Sequence, residues 1–255
     1  MSVVLNERKW AEQMITQRSL GKKPFETITR VARYYLDNGV SKKEVRKMMD
    51  SFLIQCDPTA SIPKWTNIID GAVNTASKYE AVSVDYIPVT SNELRRIKEL
   101  QGKQLQRLAF TLLCLAKYWN IISKSKDNWV NSKDSEIMQL ANINTSIKRQ
   151  SAMYHTLNDC GMVRFSRKVD NTNVQVCFIE DGDVELKITD FRNLGYQYLK
   201  YLGEPYFECA NCGIVTKYND PKNKRKQKYC KTCAAEIAIQ QRVESVMRAH
   251  YQKTS

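Results

Sequence analysis

The chain has 255 residues, of which 42% are hydrophobic and 26% are charged. This composition is typical of a globular protein, and the length allows one large domain or two to three small ones with buried cores. The longest nearly apolar stretch, Leu108–Ala116, is much shorter than the ~20 residues that span a membrane. Polar residues follow the first five residues directly, so we expect no signal peptide. These features argue against a membrane protein and against a secreted mini-protein.

The charge balance points to an acidic partner. The chain carries 40 Lys and Arg against 27 Asp and Glu, a formal net charge of +13. Such an excess favours a polyanion, most often a nucleic acid. Net charge alone does not distinguish DNA from RNA, an anionic membrane or an acidic protein.

Residues 1–85 have the apolar spacing of helices. The pattern predicts helices over Glu7–Thr16, Phe25–Asn38 and Pro63–Tyr79, and another that opens at the capping box Ser41–Glu44. We interpret this helical region as a scaffold or protein-contact module. The inward face of the last helix should hold Trp65, Ile68, Ile69 and Ala72. Five basic residues of this region either contact a polyanion or form a solvated face: Arg18, Lys22, Lys23, Arg30 and Arg33.

Residues 86–189 begin with the patterns of a buried helix and two further helices. A second capping box lies at Thr90–Glu93, and the residues from Leu105 to Trp119 have the spacing of a buried helix. A short helix should start near Ser132, and Asn142–Thr145 should form a tight turn. A third helix is predicted over Thr145–Asp159.

Strand patterns follow the third helix. Met162–Lys168 is predicted to be a strand, Asp170–Thr172 a turn, and Val174–Phe178 a half-buried strand. Val184, Leu186 and Ile188 alternate with polar residues in the same way. Three helices followed by a basic hairpin resemble the winged helix-turn-helix family.

The resemblance implies that Thr145–Asp159 is a DNA-recognition helix. Its inward face should hold Ile147, Tyr154 and Leu157. Lys148 and Arg149 would then bind phosphates or purine edges. The alternative is that this winged helix packs against protein. The residues assigned to nucleic-acid binding in this part are Thr145, Lys148, Arg149, His155, Arg164, Arg167 and Lys168.

Four cysteines in the last part form the most specific motif of the chain. Cys209 and Cys212 are followed by Cys230 and Cys233, in the spacing C-x2-C-x17-C-x2-C. Two such pairs supply the four thiolates of a tetrahedral zinc site. The motif resembles those of treble-clef and zinc-ribbon families, which implies one structural Zn2+. Four protein ligands leave no open position for catalysis.

A basic finger separates the two cysteine pairs. Residues 217–231 contain seven Lys or Arg and one acid, Asp220, and Tyr218 and Tyr229 bracket the basic run. We expect the finger to follow phosphates, with a tyrosine available for base stacking, while a solvated loop is the alternative. The residues assigned to this contact are Lys222, Lys224, Arg225, Lys226 and Lys228.

Motifs of catalysis were not found. The sequence has no phosphate-binding Gly-x4-Gly-Lys loop, no dinucleotide Gly-x-Gly-x-x-Gly and no His-Glu-x-x-His. The two histidines, His155 and His250, lie far apart in the chain. We therefore expect a protein that is not an enzyme, although a nuclease built on scattered acids stays open.

The predicted fold class is mainly α with a small β component. We expect a helical N-terminal region (1–85), a winged helix-turn-helix (86–189) and a four-cysteine zinc-ribbon or treble-clef module with a C-terminal helix (190–255). As a whole the chain resembles uncharacterised proteins of bacterial phages and other mobile elements, which implies a cytoplasmic location in a bacterial cell. The resulting hypothesis is a zinc-containing regulator or replication factor that binds nucleic acid, preferably duplex DNA. The alternative is a phage inhibitor whose basic surface binds a host defence ribonucleoprotein, such as a CRISPR complex.

Overall fold

The computed structural model describes residues 3–166, 173–220 and 227–254. Over these residues the chain is mainly α-helical with a small β component, which confirms the predicted fold class. The chain divides into two compact units, Met1–Ile87 and Pro88–Ser255. Apart from residues 86 and 87, the predicted parts 86–189 and 190–255 thus lie within one compact unit. No helix among the described residues is both long and apolar enough to cross a bilayer.

The first unit is a bundle of four helices. Ser41 caps the third helix through the predicted box, since its hydroxyl accepts from the Glu44 N–H and Glu44 accepts from the Ser41 N–H. The fourth helix buries Ile69, Ala72 and Val73, whereas Ile68 is 39% exposed and the prediction of an inward Ile68 is wrong. The buried face follows the spacing that starts at Ile69, and Ile68 lies about 100° away from it around the helix. The helices are α1 (Glu7–Gln17), α2 (Pro24–Asp37), α3 (Lys42–Cys56) and α4 (Ile62–Ala76).

A buried carboxylate ties α1 to α2. Glu7 lies 3.2 Å from the Arg30 Nε and 2.5 Å from an Arg33 Nη, and all three residues are buried. The Arg30 guanidinium also lies over the Trp10 ring, 5.2 Å from its centroid. Arg30 and Arg33 therefore form neither a polyanion contact nor a solvated face.

The second unit is built around one long helix. Every residue of α6 from Leu108 to Ala116 is buried, because neighbouring elements surround the helix. Phe110 contacts Tyr198 of α9, with their ring centroids 5.1 Å apart. The helices of this unit are α5 (Ser91–Lys98), α6 (Lys103–Ser123), α7 (Asp134–Leu140), α8 (Ile147–Asp159), α9 (Leu194–Tyr201) and α10 (Lys231–Thr254). The strands are β1 (Ile87–Thr90), β2 (Trp129–Val130), β3 (Val163–Phe165), β4 (Val174–Val176), β5 (Val184–Ile188), β6 (Tyr206–Glu208) and β7 (Val215–Lys217).

A three-stranded antiparallel sheet combines β2, which precedes α7, with β3 and β4, which follow α8. Its strand order is β2-β4-β3, with Trp129 opposite Gln175 and Phe165 opposite Val174. The predicted turn Asp170–Thr172 lies outside the described residues. Strand β5 does not extend this sheet but pairs with β1. Of the alternating set in β5, Ile188 is buried and Leu186 is half-buried, whereas Val184 is exposed, so the expected half-buried face covers only the second half of the strand.

Helix α8 follows α7 after a short turn. Asn142 in that turn has a φ of +55°, a conformation that asparagine tolerates better than most residues. Tyr154 and Leu157 are buried as predicted, with Met153 beside them. Ile147 is 83% exposed, so its predicted inward orientation is wrong. As the first residue of α8 it lies beyond the part of the helix that the core covers.

Candidate metal centre and nucleic-acid interface

The first cysteine pair lies on the hairpin that β6 and β7 form. Gly213 has a φ of +73°, a conformation in which glycine is favoured, and its N–H donates to the Cys209 carbonyl at 2.9 Å. The Cys209 N–H in turn donates to the Ile214 carbonyl at 3.0 Å. This tight turn brings the side chains of Cys209 and Cys212 to one end of the hairpin.

The second pair lies at the start of α10. Cys230 directly precedes the helix and Cys233 lies in its first turn, where the Ala234 N–H donates to the Cys230 carbonyl at 2.9 Å. The helix begins at Lys231, slightly earlier than the predicted start near Cys233. The first helical turn therefore sets the separation between the Cys230 and Cys233 side chains.

The two pairs converge on one point. The four sulfur atoms lie within 4.8 Å of one another, and the Cys212 and Cys230 sulfurs are 3.9 Å apart. Tetrahedral zinc with bonds of about 2.3 Å would require sulfur separations of about 3.8 Å. The cluster thus has the donors and the spacing that a metal ion requires.

Backbone N–H groups add to this fit. The Cys230 N–H donates to the Cys209 sulfur at 3.3 Å, and the Cys233 N–H donates to the Cys230 sulfur at 3.5 Å. Burial would raise the pKa of the Cys209 thiol, but N–H groups from Cys230, Cys212 and Asn211 lower it to about 6. Burial raises the pKa of the neighbouring Cys212 thiol to about 12, so the N–H donors favour a thiolate at Cys209 in particular. Because metals bind thiolates, donors that stabilise a thiolate favour a metal site.

A polar network joins the hairpin to the turn before α8. The Asn193 side chain donates to the Val215 carbonyl and accepts from the Asn142 side chain, each at 2.9 Å. The Asn142 side chain also accepts from the Tyr196 N–H, and its carbonyl accepts from Arg107. Sequence reasoning missed this network, since nothing in the spacing of two asparagines that lie 51 residues apart indicates a contact.

Helix α8 presents basic side chains to solvent. Lys148, Arg149 and His155 are exposed, Thr145 is half-buried, and Arg164 on β3 is exposed. The His155 ring contacts the Phe165 ring, with a centroid distance of 5.1 Å. The remaining predicted residues of this face, Arg167 and Lys168, lie outside the described residues.

The basic finger is described only at its ends. Lys228 is exposed, and its carbonyl accepts from the Ala210 N–H at 2.9 Å. The Tyr218 ring packs against Phe207, with centroids 4.6 Å apart, while Tyr229 is 37% exposed. The other predicted finger residues, Lys222, Lys224, Arg225 and Lys226, lie outside the described residues.

Comparisons with known proteins do not extend this description. No protein-family model, no curated protein and no solved structure matches the chain.

Proposed function

We propose that this protein is a non-enzymatic DNA-binding protein with one structural zinc ion, acting as a regulator or replication factor of a phage or mobile element. The observation that carries the proposal is the face of α8. A helix that follows a short helix and a tight turn exposes Lys148 and Arg149, and the adjacent β3 exposes Arg164. A winged helix-turn-helix uses this arrangement to enter the major groove of duplex DNA.

Zinc is the metal that the donor set favours. Four cysteine thiolates at tetrahedral spacing are typical of structural zinc sites. When bound, zinc would hold the hairpin and the start of α10 together, and four protein ligands would leave no position for substrate or water. Elemental analysis of protein purified without chelators should therefore find one zinc per chain. Protein without bound metal would refute this part of the proposal.

The DNA contact is tested by removing two charges from α8. The double variant Lys148→Ala with Arg149→Ala should bind duplex DNA more weakly, because two phosphate or base contacts are lost. The slope of log affinity against log salt should become shallower by up to about 2 units, from about 0.9 for each phosphate contact. Fluorescence anisotropy at several salt concentrations measures both quantities.

The matched control removes the same charge elsewhere. Lys42 and Lys43 are exposed in the first unit, and their double replacement by Ala should leave the salt slope unchanged. Melting temperatures should change little in both double variants, since the four side chains are exposed. If the α8 variant binds DNA as tightly as the parent protein, α8 is not the DNA-binding element.

A further inference from the structure

Ile147 is a large apolar side chain that the fold leaves in water. It is the first residue of α8 and is 83% exposed, although it shares a face of the helix with the buried Tyr154, because the core covers that face only further along the helix. One exposed apolar side chain is common on protein surfaces and means little by itself. Ile147, however, forms a wall of a cavity of about 200 Å³ between α8 and the strands β3 and β4.

The cavity presents mainly apolar surface to an incoming group. Phe165 lines it and is 38% exposed, and His155 and Val174 lie beside it. Three of its polar side chains, those of Gln150, Tyr154 and Asp134, are already engaged within the protein. The Gln150 amide donates to the Thr145 carbonyl at 2.9 Å, and the Tyr154 hydroxyl donates to Asp134 at 3.2 Å.

Positive charge lies beside this apolar surface. Lys148 follows Ile147 directly and Arg164 precedes Phe165, and both side chains are exposed, while Arg149 lines a separate cavity on another side of α8. A partner that fits must therefore combine negative charge with a small protruding apolar group. In the major groove of DNA, the 5-methyl group of thymine is the apolar group on the base edges. The N-terminal residues of a recognition helix are those that reach base edges.

We propose that Ile147 is a specificity-determining residue that contacts the 5-methyl group of a thymine in duplex DNA. The inference rests on the proposed function and adds to it a preferred base and a preference for DNA over RNA. Uracil lacks the methyl group, so an RNA duplex would leave Ile147 without this contact.

The test removes the methyl group from the ligand and the side chain from the protein separately. A preferred duplex is first selected from a random library with the full-length protein. Each thymine is then replaced in turn by deoxyuridine, which differs only by the methyl group. At one position the parent protein should bind the deoxyuridine duplex about fourfold more weakly, the effect of one methyl group lost from an apolar contact.

The variant Ile147→Ala should bind the thymine and deoxyuridine duplexes equally at that position. The control Ile239→Ala alters another isoleucine, 62% exposed on α10, and should keep the fourfold difference. A protein that binds no duplex refutes the proposed function itself. Two results would overturn the inference without affecting the proposed function: the parent protein binds duplex DNA but shows no preference for thymine, or Ile147→Ala keeps that preference. Ile147 would then be a candidate for contact with a protein.

Discussion

Glu7 is a buried carboxylate shared by two buried arginines. Changing Glu7 to Gln keeps the shape of the side chain but removes the negative charge that Arg30 and Arg33 share. Loss of one partner from a buried ion pair commonly costs about 3–5 kcal/mol, because the remaining charge stays out of water. Urea unfolding of the first unit, followed by the fluorescence of Trp10 and Trp65, should register a loss of this size.

The control for Glu7 is an ion pair at the surface of the same unit. Asp70 is paired with Arg46 and is half exposed, so Asp70→Asn should change the free energy of unfolding by less than about 1 kcal/mol. Equal losses in the free energy of unfolding would show that the buried Glu7 ion pairs stabilise the fold no more than a solvated ion pair does.

Single residues also mark the limit of sequence reasoning. The four cysteines were found because metal chemistry fixes both the residue type and the spacing. The orientation of Ile147 was predicted wrongly because helical spacing does not tell where the covering core ends. Arg30 was considered a surface charge, since nothing in its neighbourhood indicates that an acid 23 residues earlier will be buried with it.

Helix α9 comes close to the backbone of the turn before α8 at Gly195. A Cβ added at Gly195 would lie 2.0 Å from the Ala141 carbonyl oxygen. Because that neighbour is backbone, Gly195→Ala should separate α9 from the turn and destabilise the second unit by at least about 1–3 kcal/mol, as overpacking does. Thermal or urea unfolding monitored at Trp119 and Trp129 measures the loss.

Gly71 provides a matched helical control. A Cβ at this position would lie 3.6 Å from its nearest neighbour, a ring carbon of Phe25. Gly71→Ala should therefore be neutral or should stabilise α4 by about 0.5–1 kcal/mol, through helix propensity. A tolerated alanine at Gly195 would contradict the close packing of α9 on the turn.

The predicted elements differ from the observed ones mainly at their ends. Capping boxes and apolar periodicity correctly gave the starts of α3 and α5, because these signals act over a few adjacent residues. The pairing of β1 with β5 was not predicted, since it joins segments about 100 residues apart. The same reason explains why the network between Asn142 and Asn193 was missed.

At the scale of the whole molecule, the division into two units predicts independent folding of the second. A truncated chain that begins at Ser83 keeps β1 and lacks the four helices of the first unit. It should elute from gel filtration without aggregates, keep its helical circular dichroism and bind metal, because α6 and its surrounding elements are all retained. Aggregation of this fragment, with its metal lost, would show that the first unit is an integral part of the fold.

The exposure of α10 has a consequence for how that helix forms. From Ala234 to Met247 every side chain except that of Ile237 is exposed, so little tertiary packing supports this stretch of the helix. Starting a helix is unfavourable by a factor of about 10⁻³, whereas extending it costs little. A metal held by Cys230 and Cys233 would fix the first turn and act as the nucleus from which the rest propagates. Chelation should then remove the helical circular dichroism of α10 while α6 stays helical. Metal binding at the first turn would thus control the folding of a helix most of which lies far from the metal.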